Sequence, residues 1–176
     1  MPITMYELTI PVFIQGVTGL GAVLRKGRDF CIEHKVDDSV LLDARLFPTM
    51  FPLVRQVLVA CEQAKYTPAY LAGIEPAPDD NVETTFAQLL ARIDGTLASL
   101  GDVTPQQLDG SDDRPVSFAI GPYHMSFPSG LRYVQSFAVP NFHFHVTAAY
   151  SILRHSGVPL GKGDFLGDMG ADVTIA

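Results

Sequence analysis

One stretch of the chain decides the fold: residues 139–157 read VPNFHFHVTAAYSILRHSG. Pro140 suits the first position of a helix, where its missing N–H removes no hydrogen bond, and Gly157 suits the position just past the end. The spacing therefore predicts a helix over about residues 140–156. Apolar residues at helical spacing form its core-facing stripe, which comprises Phe142, Val146, Ala149 and Leu153.

This predicted helix carries three of the chain's five histidines. His145 lies beside the apolar stripe with Asn141 one turn before it, so both are expected to point toward the interior. His143 falls on the more polar side, and His155 lies in the last turn, where a positive charge suits the helix dipole. The helix therefore offers one inward histidine and one amide, and no inward pair of histidines four residues apart.

Apolar periodicity predicts three further long helices, over residues 4–34, 53–72 and 86–100. Pro11 and Pro68 lie inside the first two of these, where we expect a bend or a restart. Residues 116–120 and 123–127 alternate apolar with small or polar side chains and predict a short β-hairpin. The whole pattern predicts one domain over residues 1–176, an all-α up-down four-helix bundle with the hairpin inserted before the last helix.

Composition narrows the function classes. A net charge of −7 disfavours contact with a phosphate backbone, so nucleic acid is not an expected partner. No uninterrupted apolar run approaches the roughly 18 residues of a membrane span, and the first residues lack the pattern of a signal peptide. We therefore expect a cytoplasmic protein that does not bind membranes. Cys31 and Cys61 lie in apolar helical segments without metal-site or redox spacing, which predicts buried reduced thiols.

Several common catalytic motifs do not occur in the sequence. There is no GxSxG elbow, no CxxC pair and no paired-carboxylate motif, so serine hydrolase, thiol oxidoreductase and glycosidase activities lack a starting residue. Residues 161–164 read GKGD, which departs from the GxxxxGK[ST] spacing of a phosphate-binding loop. Nucleotide binding is therefore not predicted.

Three polar residues outside the last helix are candidates for a binding pocket. Gln56 lies among apolar residues of the second predicted helix, where it either faces His145 across the core or lies at the boundary with solvent. Asp43 and Arg45 flank the entry to the same helix. They either line the mouth of a pocket or form an ion pair that fixes the loop, and the ion pair is the more common arrangement.

A metal at His145 would need further ligands. A catalytic zinc or nickel site usually has three protein ligands and one open position, and Asn141 is a poor replacement for a second histidine. The spacing of His34, His124, Asp43 and Cys61 does not require any of them to meet His145. The alternative is a buried neutral histidine whose ring nitrogens hydrogen-bond to side chains or backbone.

Two segments carry a resemblance to a known family. Residues 140–167, and residues 43–57 with the sequence DARLFPTMFPLVRQV, resemble signatures of an uncharacterised family of DinB/YfiT-like bundle proteins. The resemblance extends over nearly the whole chain. It implies an up-down four-helix bundle that is often a homodimer, within a superfamily that includes metal-dependent thiol transferases and isomerases.

The resemblance also implies where a metal would bind. The last ligand pair of metal-binding DinB-like proteins corresponds to Asn141 and His145, and the third ligand is a histidine of the second helix, which this chain lacks between Pro52 and Gly73. Two hypotheses follow. One is a metal-free protein that binds a small ligand or a partner through a polar pocket of Asn141, His145 and Gln56. The other is a transferase or isomerase with a rearranged zinc or nickel site that includes His145.

Overall fold

Four long helices build the domain in the computed structural model, which describes residues 3–171. They are α1 (Met5–His34), α3 (Leu53–Ala72), α4 (Phe86–Gly101) and α6 (Val139–His155). Three shorter helices are α2 (Ser39–Leu42), α5 (Gly130–Tyr133) and α7 (Lys162–Leu166), and strands β1 (Val116–Ile120) and β2 (Tyr123–Phe127) form an antiparallel hairpin. The predicted helical bundle with a hairpin before its last long helix is confirmed.

The helix ends follow from local chemistry. The Thr4 side chain accepts a hydrogen bond from the Glu7 N–H at 3.2 Å, and the Glu7 carboxylate accepts from the Thr4 N–H at 2.8 Å. This capping box satisfies N–H groups that have no partner within the helix. α3 ends at Gly73, whose φ of 75° lies in the left-handed region that glycine tolerates.

The prolines interrupt the chain less than the sequence suggested. α1 continues through Pro11 and α3 continues through Pro68, so neither helix restarts. The last helix begins earlier than expected, since α5 leads through a π turn (Val134–Ala138) directly into α6. Pro140 lacks the N–H that would continue the hydrogen-bond ladder, and a widened turn just before it is a common way to absorb that loss.

The bundle is arranged as a ring in which α3 packs against α4 and α6, and α1 packs against the same two helices from the other side.

Among the described residues, α1 is the one helix long and apolar enough to cross a membrane by length and composition alone. Half of the apolar segment of α1 is buried inside the bundle, and the core helix of a globular domain passes the same test.

Cys31 and Cys61 are free and buried, as predicted, and burial raises the pKa of Cys61 to about 12.

The hairpin covers one side of the bundle. Phe118 of β1 stacks on Tyr70 of α3 at 4.7 Å between ring centroids, and meets the edge of Tyr133 at 5.6 Å. Phe127 of β2 packs against Phe137 of the π turn at 5.8 Å. These aromatic contacts hold the hairpin near the junction of α3 and α6, where it forms one wall of a cavity.

Candidate functional site

A cavity of about 480 Å³ lies between α3, α6, the hairpin and the loop of residues 73–85. We call it the α3–α6 cavity. Its apolar walls are mainly aromatic and comprise Phe51, Tyr66, Tyr70, Phe118, Tyr133 and Phe137. Its polar lining comprises Arg55, Glu62, Gln63, Asp79, Asn81, Asn141 and His145.

His145 is buried on the wall of this cavity and faces Gln56, the first of the two arrangements that the sequence left open. The Gln56 amide nitrogen donates to the Phe51 carbonyl oxygen at 3.1 Å, so its oxygen is the atom that lies 2.7 Å from His145 Nδ1. An amide oxygen only accepts, and therefore Nδ1 carries the imidazole proton. Nε2 is left as an acceptor, and no described residue hydrogen-bonds to it.

The charge state of His145 follows from its surroundings. Burial, assisted by the positive charge of Arg55, lowers the pKa of His145 to about 4. The ring is therefore neutral at physiological pH, and its Nε2 lone pair is available. His143 is half-buried on the neighbouring face of α6, and burial also lowers its pKa.

Asn141 points inward as predicted and belongs to a second hydrogen-bonded group, centred on Gln63. The Gln63 amide nitrogen donates to the Thr67 hydroxyl at 2.8 Å and to the Tyr133 hydroxyl at 3.1 Å. Its oxygen accepts from the Asn141 amide nitrogen at 2.9 Å. Both ends of the Gln63 side chain are thus engaged, and the orientation of Asn141 is set by them. Burial raises the pKa of Tyr133 to about 12, so its hydroxyl stays protonated.

Sequence reasoning missed Gln63, although a signal was present. Gln56 and Gln63 are seven residues apart, which places them two turns apart on one face of α3. Asn141 and His145 are four residues apart on one face of α6. Each helix therefore has two polar side chains on the face that it turns toward the other helix. Paired spacings of this kind predict contact once the two helices are known to be neighbours.

The loop of residues 73–85 is held over the cavity by partly buried charged side chains. Asp79 accepts from Lys65 Nζ at 2.6 Å and lies 2.7 Å from an Arg92 guanidinium nitrogen. Burial alone would raise the pKa of Asp79, but these two cations outweigh it and the pKa is lowered. Arg92 also binds Glu83 at 2.6 Å. The loop is therefore tied to α3 and α4, and it brings Asn81 onto the cavity wall.

Asn81 occupies an unusual position in that loop. Its φ of 53° is in the left-handed region, which asparagine tolerates better than most residues. Its amide nitrogen donates to a Glu62 carboxylate oxygen at 2.6 Å, and its amide oxygen is buried with no partner among residues 3–171. Sequence reasoning missed both Asn81 and Glu62, because a loop residue such as Asn81 reaches the cavity only through tertiary contacts, and nothing in the sequence of α3 shows that Glu62 meets that loop.

The donor set around His145 does not fit the metal site of metal-binding DinB-like proteins. In the part of the chain that the structure describes, no group of three or more His, Cys, Asp or Glu side chains could hold a metal ion. The polar neighbours of His145 on α3 and α6 include Gln56, Asn141 and Arg55. Neutral amides are weak ligands for zinc or nickel, and a guanidinium is always protonated and does not bind a cation. His34 instead stacks on Phe30 at 4.0 Å in α1.

Asp43 and Arg45 lie outside the α3–α6 cavity. Both are exposed, and within residues 3–171 no salt bridge joins them, so the expected ion pair is not formed. Arg45 donates to the carbonyl oxygens of Met50 at 3.3 Å and Pro48 at 3.5 Å. The guanidinium group thus holds the loop before α3 through backbone contacts, and neither residue lines the pocket.

Comparisons with known proteins agree with this architecture. The family model "Domain of unknown function (DUF1993)" matches residues 5–166. The chain belongs to the DUF1993 family. A crystal structure of a DinB family member from Shewanella denitrificans is 35% identical, with a TM-score of 0.85, over 97% of this chain and 96% of that one. The resemblance to an uncharacterised DinB-like family is therefore confirmed. No protein with a curated description matches the chain.

Proposed function

We propose that this DUF1993 protein binds a small, largely apolar molecule in the α3–α6 cavity, through polar contacts with His145 and Asn141 and without a metal. The observation that supports this most strongly is the cavity of about 480 Å³ with aromatic walls and His145 held in one tautomer. Small-molecule sites typically measure roughly 300–1,000 Å³ and combine apolar walls with a few placed polar groups.

Preorganisation supports the same proposal. Gln56 and Gln63 each use both ends of the amide within the protein, which orients His145 and Asn141 before any ligand arrives. A ligand that meets oriented groups loses less free energy to ordering the site. The same arrangement does not favour a rearranged metal site, because the polar side chains beside His145 are two neutral amides and the Arg55 guanidinium. The homodimer, the cytoplasmic location and the single domain over residues 1–176 remain predictions from the sequence.

The absence of tryptophan from the chain allows a direct binding test. Phe137→Trp places a single reporter on the cavity wall, and Phe165→Trp places one at a half-buried position on α7, away from it. A library of aromatic fragments of about ten non-hydrogen atoms should change the emission of the first variant and leave the second unchanged, with millimolar or tighter affinity. No response from Phe137→Trp, or an equal response from both, would contradict the proposal.

A metal titration tests the other hypothesis. Zinc and nickel should fail to bind stoichiometrically to the untagged protein, because within residues 3–171 His145 belongs to no group of three His, Cys, Asp or Glu side chains. Stoichiometric metal that is lost in His145→Ala would overturn the metal-free proposal. Weak binding that His145→Ala leaves unchanged would be assigned to surface histidines such as the exposed His124 and would support it.

A further inference from the structure

Three acceptor atoms of the cavity lining, on Asn81, Asn141 and His145, have no hydrogen-bond partner among residues 3–171. Two side-chain atoms of the described residues are buried without a partner, Asn81 Oδ1 and Glu83 Oε2, and both are oxygens. Asn81 lines the cavity. Its amide cannot be reversed, because the Glu62 carboxylate at 2.6 Å accepts only and must face the amide nitrogen. The Asn81 oxygen is therefore the end of the amide that has no partner among residues 3–171.

The Asn141 amide oxygen has the same character. The Gln63 nitrogen donates to the Thr67 and Tyr133 hydroxyls, and its oxygen accepts from the Asn141 nitrogen at 2.9 Å. This leaves Asn141 Oδ1 as the end of the amide that no described residue contacts by a hydrogen bond. His145 Nε2 is a third free acceptor, since the proton of the ring lies on Nδ1.

The donors near these atoms are mostly engaged. Lys65 and Arg92 bind Asp79, and the Tyr66 hydroxyl also donates to Asp79 at 3.2 Å. Arg55 lies 3.5 Å from Glu62 and over the Phe51 ring at 5.9 Å. The remaining donors are the outer face of Arg55, the second amide hydrogens of Asn81 and Asn141, and the Tyr70 hydroxyl, which can also accept. Among the cavity-lining side chains of residues 3–171, Asn81 Oδ1 is the buried polar atom that has no partner.

From these three acceptors, the Glu62 carboxylate and the aromatic walls, we infer that the ligand carries an amino head group that donates hydrogen bonds, on an apolar body that fills the aromatic part of the cavity. This inference rests on the proposed function and names its ligand class. An ammonium group supplies up to three N–H donors for Asn81 Oδ1, Asn141 Oδ1 and His145 Nε2, and the Glu62 carboxylate supplies the opposite charge. A carboxylate or phosphate head group would place oxygen lone pairs against these acceptors.

The walls of the cavity favour the same ligand. The faces of Tyr66, Tyr70, Phe118 and Tyr133 carry partial negative charge, which attracts an organic cation within about 6 Å. The net charge of −7 also favours the approach of a cation over that of an anion. Arg55 opposes a cation, but it is 37% exposed at its side chain and its charge is partly offset by Glu62.

A series of matched probes tests the head group. We would titrate Phe137→Trp at neutral pH with benzylamine, benzyl alcohol, benzoate and benzyltrimethylammonium, which share one ring and differ in charge and donors. Benzylamine should bind at least about fivefold more tightly than each of the others, because a single good hydrogen bond to a charged group corresponds to that factor or more. Tighter binding of benzoate would overturn the inference while leaving the proposed function in place.

The other outcomes are equally decisive. Equal affinity for benzylamine and benzyltrimethylammonium would overturn the inference, because the quaternary cation has no N–H and binds through charge and the ring faces alone. Equal affinity for benzylamine and benzyl alcohol would overturn it as well, because the charge would then contribute nothing. Binding of none of the four, with no fragment from the wider library bound either, would overturn both the inference and the proposed function.

Variants of the loop separate a direct contact from a structural effect. Asn81→Gly keeps the left-handed backbone accessible and removes the amide, whereas Asp80→Gly makes the same change at an exposed neighbour outside the cavity. Asn81→Gly should weaken benzylamine about fivefold and leave benzyl alcohol within about twofold, and Asp80→Gly should change neither. If Asn81→Gly lowers the affinity for both probes equally, or for neither, Asn81 does not contact the amino group and the inference is overturned.

Discussion

Two helix interfaces in the same bundle are built in opposite ways. Where α1 meets α4, a Cβ added to Gly27 would lie 3.1 Å from the Phe86 ring and one added to Gly21 would lie 3.0 Å from an Ile93 methyl group. Where α3 meets α6, Gln56 and Gln63 meet His145 and Asn141 beside a cavity. The buried centre of the first interface is apolar, with the Arg25–Asp94 salt bridge at its exposed edge, whereas the second places oriented polar groups beside a cavity.

From this contrast we expect stability and ligand binding to depend on different helix interfaces of the bundle. Buried apolar contact stabilises in proportion to the area removed from water, so the α1–α4 interface contributes mainly to the free energy of unfolding. The α3–α6 interface contributes less per residue, because its polar groups only replace hydrogen bonds that water would make. Changes on the two sides should therefore have different consequences for stability and for binding.

The largest effect is expected in the packed interface. Phe86 is fully buried, and Phe86→Ala should reduce the free energy of unfolding by about 3–5 kcal/mol in urea denaturation. Phe144→Ala is the matched control, because Phe144 is 57% exposed and its loss should cost less than about 1 kcal/mol. Equal losses for the two variants would contradict the contrast between buried and exposed phenylalanine.

A smaller effect is expected when a polar contact of the cavity is removed. Gln56→Leu leaves His145 Nδ1 without its acceptor and should cost about 1–3 kcal/mol of unfolding free energy, together with weaker fragment binding. Gln15→Leu is the control, since Gln15 is exposed and donates one hydrogen bond to the Leu166 carbonyl oxygen. A Gln56→Leu variant that keeps both stability and binding would show that the imidazole needs no fixed tautomer.

Acidification should weaken the same interface through His145. Its pKa is about 4 in the folded protein against 6.5 for an ordinary histidine, so as the pH falls through 6.5 the unfolded chain takes up a proton that the folded one does not. Stability must then decrease, and the histidine's share between neutral pH and pH 5 is about 2 kcal/mol. Urea denaturation at both pH values should show this extra loss in the parent protein and not in His145→Gln. Identical pH dependence would place the pKa of His145 near its ordinary value.

The smallest effect is expected outside both interfaces. Asp43→Ala removes an exposed carboxylate that lies outside the cavity, and it should change the free energy of unfolding by no more than about 0.5 kcal/mol. Fragment affinity, measured with the Phe137→Trp reporter, should not change. A loss of affinity would extend the site toward the loop before α3, and the contrast between the two interfaces would no longer describe where binding resides.

Much of the fold could be predicted because its signals are local. Capping at Thr4, the stop at Gly73 and the apolar periodicity each act within a few residues, and they place the long helices nearly where the structure has them. The early start of the last helix was missed because Ser129 caps α5 and the π turn then carries the helix past Pro140. The start of the helix depends on both the Ser129 cap and Pro140, and neither residue alone predicts where the helix begins.

The candidate site could likewise be predicted only where the signals are local in the sequence. The inward direction of His145 and Asn141 follows from helical period alone, whereas their partners depend on which face of α3 lies opposite. Asn81 shows the limit most clearly, since nothing near it in the chain indicates that a loop asparagine lies on the wall of a cavity formed by α3 and α6.

By itself the sequence determined the helices, the hairpin, the family resemblance and which side of the last helix turns inward, because these depend on residues close together in the chain. The tertiary structure alone decided that Gln56 orients the His145 proton, that Gln63 orients Asn141, and that Asn81 and Glu62 complete a cavity rich in acceptors. The physical reason is that a hydrogen bond between residues 89 or 78 positions apart exists only after the helices have packed.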